Sequence, residues 1–441
     1  MKPNLSHLKT RQLVRLAQII GVTKRGPKLE LAERISREIS AYQLPLSKES
    51  GRNGLQDGTE GGLENANAMS ILSLDVGIQN LGIANFIVPP FEPLKSSSSA
   101  RSAAIADTLD PKWTTNNNIT PILNGWQCLK VSDMEVPLPP ETQITPEAKE
   151  EEKDELTQST SKKSVIPFST PAYAARAYTL ITSLLEKYKP THVLIEKQRF
   201  RSGGGVAVQE WTLRVGVLEG MLYAVLYTLK QQQRQHQGTQ LEQQYLPPPL
   251  VHTVDPQQVI KYWRALSGSP TFRLRGKKYD RFQLESPPTK TMKMTPADVK
   301  RTKIDLVGTW LSVSRENENE NEMARSSDTR DSSSSYAELD ITSNESIPQT
   351  ILQTPKVQIA TNPQVRDMVD IYLRRWDGGP SPSPRSSRGS TISGEPPPRK
   401  LDDLADCLLQ GVTWLDWQVM RYRVLTEGID DVLSSFQEMN D

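Results

Sequence analysis

The sequence predicts an α/β chain, a mixed β-sheet flanked by helices, preceded by a small helical module and interrupted by long polar inserts. Three observations carry this expectation. Short apolar runs that stop at turn residues alternate with longer runs of helical period. The first forty residues follow a helical period almost throughout, and four later stretches are rich in Ser, Asn, Glu or Pro with little to bury. Across 441 residues the hydrophobic share is 36%, with 32 Pro and 25 Gly, which fits a packed core broken by unpacked chain.

The elements follow in order. Leu5, Leu8, Leu13, Leu16, Ile19 and Ile20 repeat at helical spacing until Gly21 stops the run, and a second helix from about Lys28 carries Leu31, Ile35 and Ile39 on one face. The string from Leu13 to Ile35 resembles a SAP motif, a two-helix DNA-binding module. That likeness implies phosphate contacts from Lys24, Arg25 and Lys28 and assigns residues 1–42 to the module. An amphipathic hairpin that merely packs on the main domain has the same pattern. Residues 43–69 read as a polar, Gly-rich linker.

The main domain is expected over 70–433. Ile71–Asp75, Leu81–Val88 and Gly125–Val131 read as strands; Pro171–Tyr188 reads as a helix capped by Ser169 or Thr170. A strand at His192–Glu196, a helix at Val206–Lys230, a strand at Leu250–Val254, helices at Pro256–Ala265 and Pro296–Leu311, and a last helix from Asp402 complete it. Residues 89–120, 132–165, 313–365 and 376–398 are read as disordered inserts. Strands first, then helix and strand in alternation, with a helix at the end, is the element order of a ribonuclease H-like fold.

Composition narrows the chemistry. Lys and Arg number 53 against 52 Asp and Glu, so net charge alone announces no nucleic-acid partner. Cys128 and Cys407 sit in apolar surroundings, which favours two reduced thiols over a disulfide framework or zinc site. His7, His192, His236 and His252 share no ligand spacing, so catalysis falls to carboxylates. No uninterrupted apolar run reaches the roughly 18 residues of a membrane span. Residues 1–29 are basic and free of acid, a pattern that suits both a mitochondrial transit peptide and a DNA-binding module.

Three acidic sites stand where apolar elements stop. Asp75 ends Ile71-Leu-Ser-Leu-Asp75 before a glycine turn, where an Asp also serves as a simple turn cap. Glu196 ends Val193-Leu-Ile-Glu196 and leads into a basic, glycine-rich segment containing Arg199 and Arg201. Asp402, Asp403 and Asp406 open the last helix, where spacings of three and four residues bring like charges onto one face, an arrangement that a helix cap or a bound cation offsets.

The segments Ser73-Leu-Asp75-Val-Gly77-Ile-Gln-Asn80, Ile195-Glu196-Lys-Gln-Arg199-Phe-Arg201, Glu210-Trp211-Thr-Leu-Arg214 through Glu219, and Lys400-Leu-Asp402-Asp403-Leu-Ala-Asp406-Cys together resemble the fungal mitochondrial Holliday junction resolvases. The resemblance implies a ribonuclease H-like nuclease that cuts four-way DNA junctions symmetrically as a homodimer in the mitochondrial matrix. It implies that Asp75, Glu196, Asp403 and Asp406 bind two Mg2+ or Mn2+ ions, with Asp402 the possible substitute for its neighbour.

Arg199, Arg201 and Arg214 are candidate contacts to the DNA backbone. Residues 257–310 add twelve Lys and Arg against four acids, interleaved with aromatics such as Tyr262 and Trp263. Trp211, Val215, Leu218, Leu222 and Val225 have the spacing of a dimer seam, and equally that of an intramolecular core helix. Two other classes remain open on sequence: a related nuclease acting on flaps or RNA–DNA hybrids, and a noncatalytic DNA-binding protein of the same fold. A sugar-kinase-like ATPase is disfavoured, because no second Asp-x-Gly phosphate loop with strand context follows.

Overall fold

The computed structural model describes residues 3, 5–45, 68–91, 119–134, 169–199, 210–236, 247–266, 295–327, 355–379 and 400–438. Its centre is a six-stranded mixed sheet in the order β5-β4-β1-β2-β3-β6. Strands β1 (Met69–Asp75), β2 (Leu81–Val88) and β3 (Ile122–Leu129) form an antiparallel meander, with the tight Val76–Asn80 turn between the first two. Then β4 (His192–Glu196) joins parallel to β1, β5 (Leu250–Val254) parallel to β4, and the short β6 (Gln358–Ile359) parallel to β3. This is the expected mixed sheet with helices on both faces. Its parallel strands β1, β4 and β5 end on one edge, where Asp75 and Glu196 are the terminal residues.

Alternation along the strands feeds two cores. Ile71, Ala84, Phe86 and Leu194 point to one, and Leu72, Leu74, Ile83, Val193 and Ile195 to the other. The second core is covered by α3 (Thr170–Tyr188) and α4 (Glu210–His236). The first is covered by α8 (Asp402–Thr426), a helix buried along nearly its whole length, together with α5 (Pro256–Leu266), α6 (Pro296–Ser327) and α7 (Pro363–Trp376). With both faces covered, β1 is buried from Met69 to Leu74, its two serines included, and only its last residue is partly exposed. Short α9 (Ile429–Glu438) closes the described chain.

The N-terminal hairpin of α1 (Thr10–Ile19) and α2 (Lys28–Ser40) shares the first core. Leu5, Leu8, Leu13, Leu16, Ile20, Ile35 and Ile39 are fully or almost fully buried there. Gly21 adopts a positive φ of 72°, and a Cβ on it would fall 2.1 Å from the Trp417 ring of α8, so only glycine lets the hairpin seat so closely. Arg421 completes the docking: its Nε donates to the Ile20 carbonyl at 3.2 Å and its guanidinium pairs with Glu38 at 3.0 Å.

Several expectations change. Of the proposed inserts, 313–365 contains the continuation of α6 to Ser327, strand β6 and the start of α7, with Val357, Ile359 and Val365 buried. Phe91 in the 89–120 insert is buried too, and its N–H bonds the Pro45 carbonyl at 2.6 Å. The remainder of the four inserts lies almost wholly outside the described residues. The third strand ends at Leu129, and Val131–Asp133 is a 3-10 turn. Val215, Leu218 and Leu222 face the second core and cannot form a dimer seam; Leu213, Val217 and Tyr227 stand exposed on the opposite side of α4. By length and composition alone α4 is long and apolar enough to cross a membrane, although one side of it is core. Cys128 and Cys407 are both free thiols.

Candidate metal centre

Two neighbouring strands and one helix converge at the carboxyl edge of the sheet. Asp75 ends β1 and Glu196 ends β4, which is hydrogen-bonded beside it; Asp406 lies in the second turn of α8. Oxygen atoms of these three side chains all lie within 4.8 Å of one another, the spacing a shared cation needs.

Close packing sets that geometry. Gly82, opposite Asp75 in the β1–β2 register, carries no Cβ; one placed there would come 2.4 Å from the Asp403 carbonyl oxygen. Gly411 likewise gives way to Phe86, at 2.2 Å from a hypothetical Cβ. The start of α8 is then pinned by the Trp126 indole N–H donating to the Leu404 carbonyl at 3.1 Å, and by Gln410 Nε2 donating to Ser73 Oγ at 3.0 Å.

The electrostatics are those of crowded acids. Burial pushes the Asp75 carboxyl well above the usual range, and Glu196, Asp406 and Asp403 push it further. Asp406 is likewise raised by burial, against the opposing pull of Lys303. Asp403, one turn earlier, is raised to about 6 by burial and by Asp402. Buried oxygens on Asp402 and Asp403 have no hydrogen-bond partner. Crowding these acids and leaving two carboxylate oxygens without a hydrogen-bond partner is costly, a cost that protonation or a bound cation offsets, and the all-oxygen donor set fits a hard divalent ion. Asp403 itself stands outside the three-carboxylate group but within electrostatic reach of Asp75, whereas Asp402 turns to Lys300 at 2.6 Å.

Helix α6 contributes residues that the sequence reading had assigned to a DNA-binding surface. Lys303 donates to Asp406 at 2.6 Å in a largely buried pair, and Lys300 meets Asp402 one turn earlier. Burial works against the Lys303 charge, but Asp406, Glu196 and Asp75 outweigh it and hold the ammonium above its ordinary range. Their spacing of three residues on a helix was visible in sequence; the partner across the fold was not. In the same stretch, Tyr262 and Trp263 are core residues and not stacking platforms, while 267–294 lies outside the described residues.

The other candidates divide. Arg199 forms a two-oxygen pair with Asp255 at 2.5 Å, on the residue that precedes α5. Arg214 pairs with Glu210 one turn away on α4. Lys24, Arg25 and Lys28 are exposed around the hairpin turn, with Lys28 Nζ 3.4 Å from the Ser6 carbonyl. Arg201 lies outside the described residues.

Comparison with known proteins gives this edge a context. Residues 71–424 match the family model described as mitochondrial resolvase Ydc2 / RNA splicing MRS1. The mitochondrial cruciform cutting endonuclease 1 of Schizosaccharomyces pombe is 34% identical over 99 residues, which is 22% of this chain and 35% of that protein. Among solved structures, the yeast mitochondrial Holliday junction resolvase Ydc2 superposes at a TM-score of 0.42 with 17% identity, over 96% of this chain and 99% of that one. Thermus thermophilus RuvC superposes at 0.21 with 14% identity, over 43% and 66% of the two chains. Assignment to a family rests on the matched 354-residue span from 71 to 424, not on these superpositions.

Proposed function

The chain belongs to the mitochondrial resolvase Ydc2 / RNA splicing MRS1 family, and from that membership we propose that it is a divalent-metal-dependent endonuclease that resolves four-way DNA junctions in mitochondrial recombination. One observation carries the choice within the family: three carboxylates from three separate elements share a volume within 4.8 Å. A protein that only binds nucleic acid gains nothing from buried, mutually repelling acids.

In this reading Asp75, Glu196 and Asp406 hold the cations, Mg2+ or Mn2+, and Asp403 joins through its unsatisfied oxygen. Divalent cations held by these residues would supply activation of a water and charge stabilisation for the leaving 3′ oxygen of a phosphodiester. The protein's part is preorganisation. Asp75 and Glu196 are fixed by strand pairing, and Asp406 is fixed by the α8 contacts to Ser73 and Trp126. Lys303 opposes the effect of burial on Asp406 and adds a positive charge beside the acids.

Among the described residues each chain carries one such cluster, and symmetric cutting of a junction takes two, which supports a homodimer. The exposed side of α4, with Leu213, Val217 and Tyr227 beside Gly216 and Gly220, where added Cβ atoms would meet open space, is the face proposed for the second copy. The names of the family and of the fission yeast relative support action in mitochondria, in the matrix where the organelle's DNA lies.

The test compares four-way junction, flap, linear duplex and RNA–DNA hybrid with Mg2+, using wild type and Asp75→Asn. Metal-dependent cutting of the junction in preference to the others, abolished in the variant, is expected. Preference for the hybrid contradicts the junction assignment, and undiminished cutting by Asp75→Asn contradicts the site.

A further inference from the structure

Of the three clustered carboxylates, Glu196 is the one held from the rim of the sheet. Asp75 is paired with Gly82 on β2, and Asp406 is fixed by the α8 contacts to the core. On β4 the register with β1 stops one residue short, at Leu74 and Ile195, so among the described strands Glu196 is paired with Val254 of β5 alone. Strand β5 is the outermost on that side, and Val254 is its one buried residue. A strand end paired on one side, to a partner with so little buried, is where a fold opens locally.

A succession of contacts fastens the chain as it leaves β4. The Lys197 N–H donates to the Val254 carbonyl at 2.8 Å, and the Gln198 N–H donates to Glu219 Oε2 of α4 at 3.3 Å. One turn along α4, the Tyr223 hydroxyl meets Thr253 Oγ1 of β5 at 2.6 Å. Arg199 then reaches Asp255, with one guanidinium nitrogen 2.5 Å from both carboxylate oxygens. Asp255 is itself fixed: its Oδ1 accepts the Gln257 N–H and its carbonyl accepts the Gln258 N–H, both at 2.9 Å, so it caps α5. It also directly follows Val254, the residue paired with Glu196. The ion pair therefore closes a ring of contacts from Glu196 through Arg199, Asp255 and Val254 back to Glu196. A metal ligand must be held within about 0.5 Å of its place, and this ring surrounds the one ligand that the centre of the sheet does not hold.

We propose that Arg199 and Asp255 are positioning residues for Glu196: their ion pair holds the end of β4 against β5, so that the Glu196 carboxylate stands where the cation binds. This rests on the reading of the acids as a metal centre, and it gives Arg199 a role inside the fold in place of the DNA contact that its basic neighbourhood suggests.

Calorimetric titration of Mn2+ into the metal-free full chain, with no nucleic acid present, tests this on Arg199→Met, Asp255→Asn and the double variant. Asparagine at 255 keeps the helix cap, so α5 is spared. Each single variant is expected to bind Mn2+ about tenfold more weakly, the low end of the range for residues that support a metal ligand. The melting transition should stay close to wild type, because a partly exposed ion pair contributes little to global stability. The double variant should also be about tenfold weaker and not a hundredfold, since both changes break one interaction. Hydrogen exchange of the metal-free proteins should show the Lys197 and Gln198 amides losing protection in all three. Wild-type Mn2+ affinity in either single variant overturns the proposal. So does an additive, hundredfold loss in the double variant, a loss of affinity that merely follows a lowered melting temperature, or unchanged protection of the two amides. If wild type binds Mn2+ and any of these contrary results is seen, the clamp is wrong and the metal centre stands; if wild type binds none, the metal centre falls and the clamp with it.

Discussion

The two ends of α8 treat buried charge in opposite ways. At its start, Asp402 and Asp403 each bury an oxygen with no hydrogen-bond partner, and Asp406 sits against Asp75 and Glu196. Toward its far end, Arg421 meets the Ile20 carbonyl and Glu38, Arg423 binds Glu427 at 2.6 Å, and the Gln418 side chain accepts the Gln43 N–H at 3.0 Å. Among the described residues the groups left without a partner there, the Trp417 indole N–H and the Gln43 Oε1, are neutral. At the far end the buried charges are met within the fold, whereas at the start acids crowd together with Lys300 and Lys303 to balance them, which fits a bound cation.

The contrast predicts opposite outcomes for changes at the two ends. The largest is expected at the acids: Asp75→Asn should lower junction cleavage by roughly 10³-fold or more while raising the melting temperature in metal-free buffer, because it relieves a carboxylate that burial and three neighbours disfavour. A variant that lost both activity and stability would make the cluster structural. Next, Gly82→Val forces a side chain into the Asp403 carbonyl and should displace the start of α8; a shift near 1 Å costs on the order of 10²-fold in rate, and a crystal structure of the variant should show Asp406 moved away from Asp75.

Between the two ends, Trp414 of α8 packs against the stacked rings of His192 and His252, at 5.2 and 5.1 Å. Burial lowers both histidines to about 4, helped for His192 by His252 and for His252 by Arg421. An unfolded histidine takes its proton near 6.5, so between about 6.5 and 4 the unfolded chain binds more protons than the folded one. The fold therefore loses stability as pH falls through that window and is unaffected by this pair above it, by up to about 1.4 kcal/mol per pH unit for each histidine. Thermal melts of His192→Asn/His252→Asn should be flatter than wild type between pH 6.5 and 5; parallel curves would show that the pair does not titrate this way.

The smallest effect is expected at the far end, where Arg421→Met removes a charged donor from the Ile20 carbonyl. It should cost about 2 kcal/mol and lower the melting temperature by several degrees. Cleavage per folded molecule should fall only as far as the hairpin's contribution to DNA binding requires. A stability loss at this end, opposite in sign to the gain at the other, is the comparison in its sharpest form.

How legible this was in sequence depended on distance. Strands β1, β2, β4 and β5 were readable because their apolar runs stop at Asp75, Glu196 or turn residues, and those stops also marked the acids. That three of the acids share a pocket follows only from the β1–β4 pairing and the lie of α8, which no local pattern encodes. Helix α7 is hard to see in the sequence because Val365, Val369 and Tyr372 begin their helical repeat right after a long polar tract. On α4 the spacing of Val215, Leu218 and Leu222 identified an apolar face, but not whether α3 and the sheet or a second chain would cover it. Lys300 and Lys303 looked like solvent-facing charge, and their roles became visible only once α6 lay across α8.

The central claim is that Asp75, Glu196 and Asp406 jointly hold divalent cations. Calorimetric titration of Mn2+ into metal-free protein tests it without any nucleic acid present. Saturable binding by wild type, lost in each of Asp75→Asn, Glu196→Gln and Asp406→Asn while the folded state is retained, is the predicted result. Binding of equal strength and stoichiometry in wild type and all three variants would contradict it.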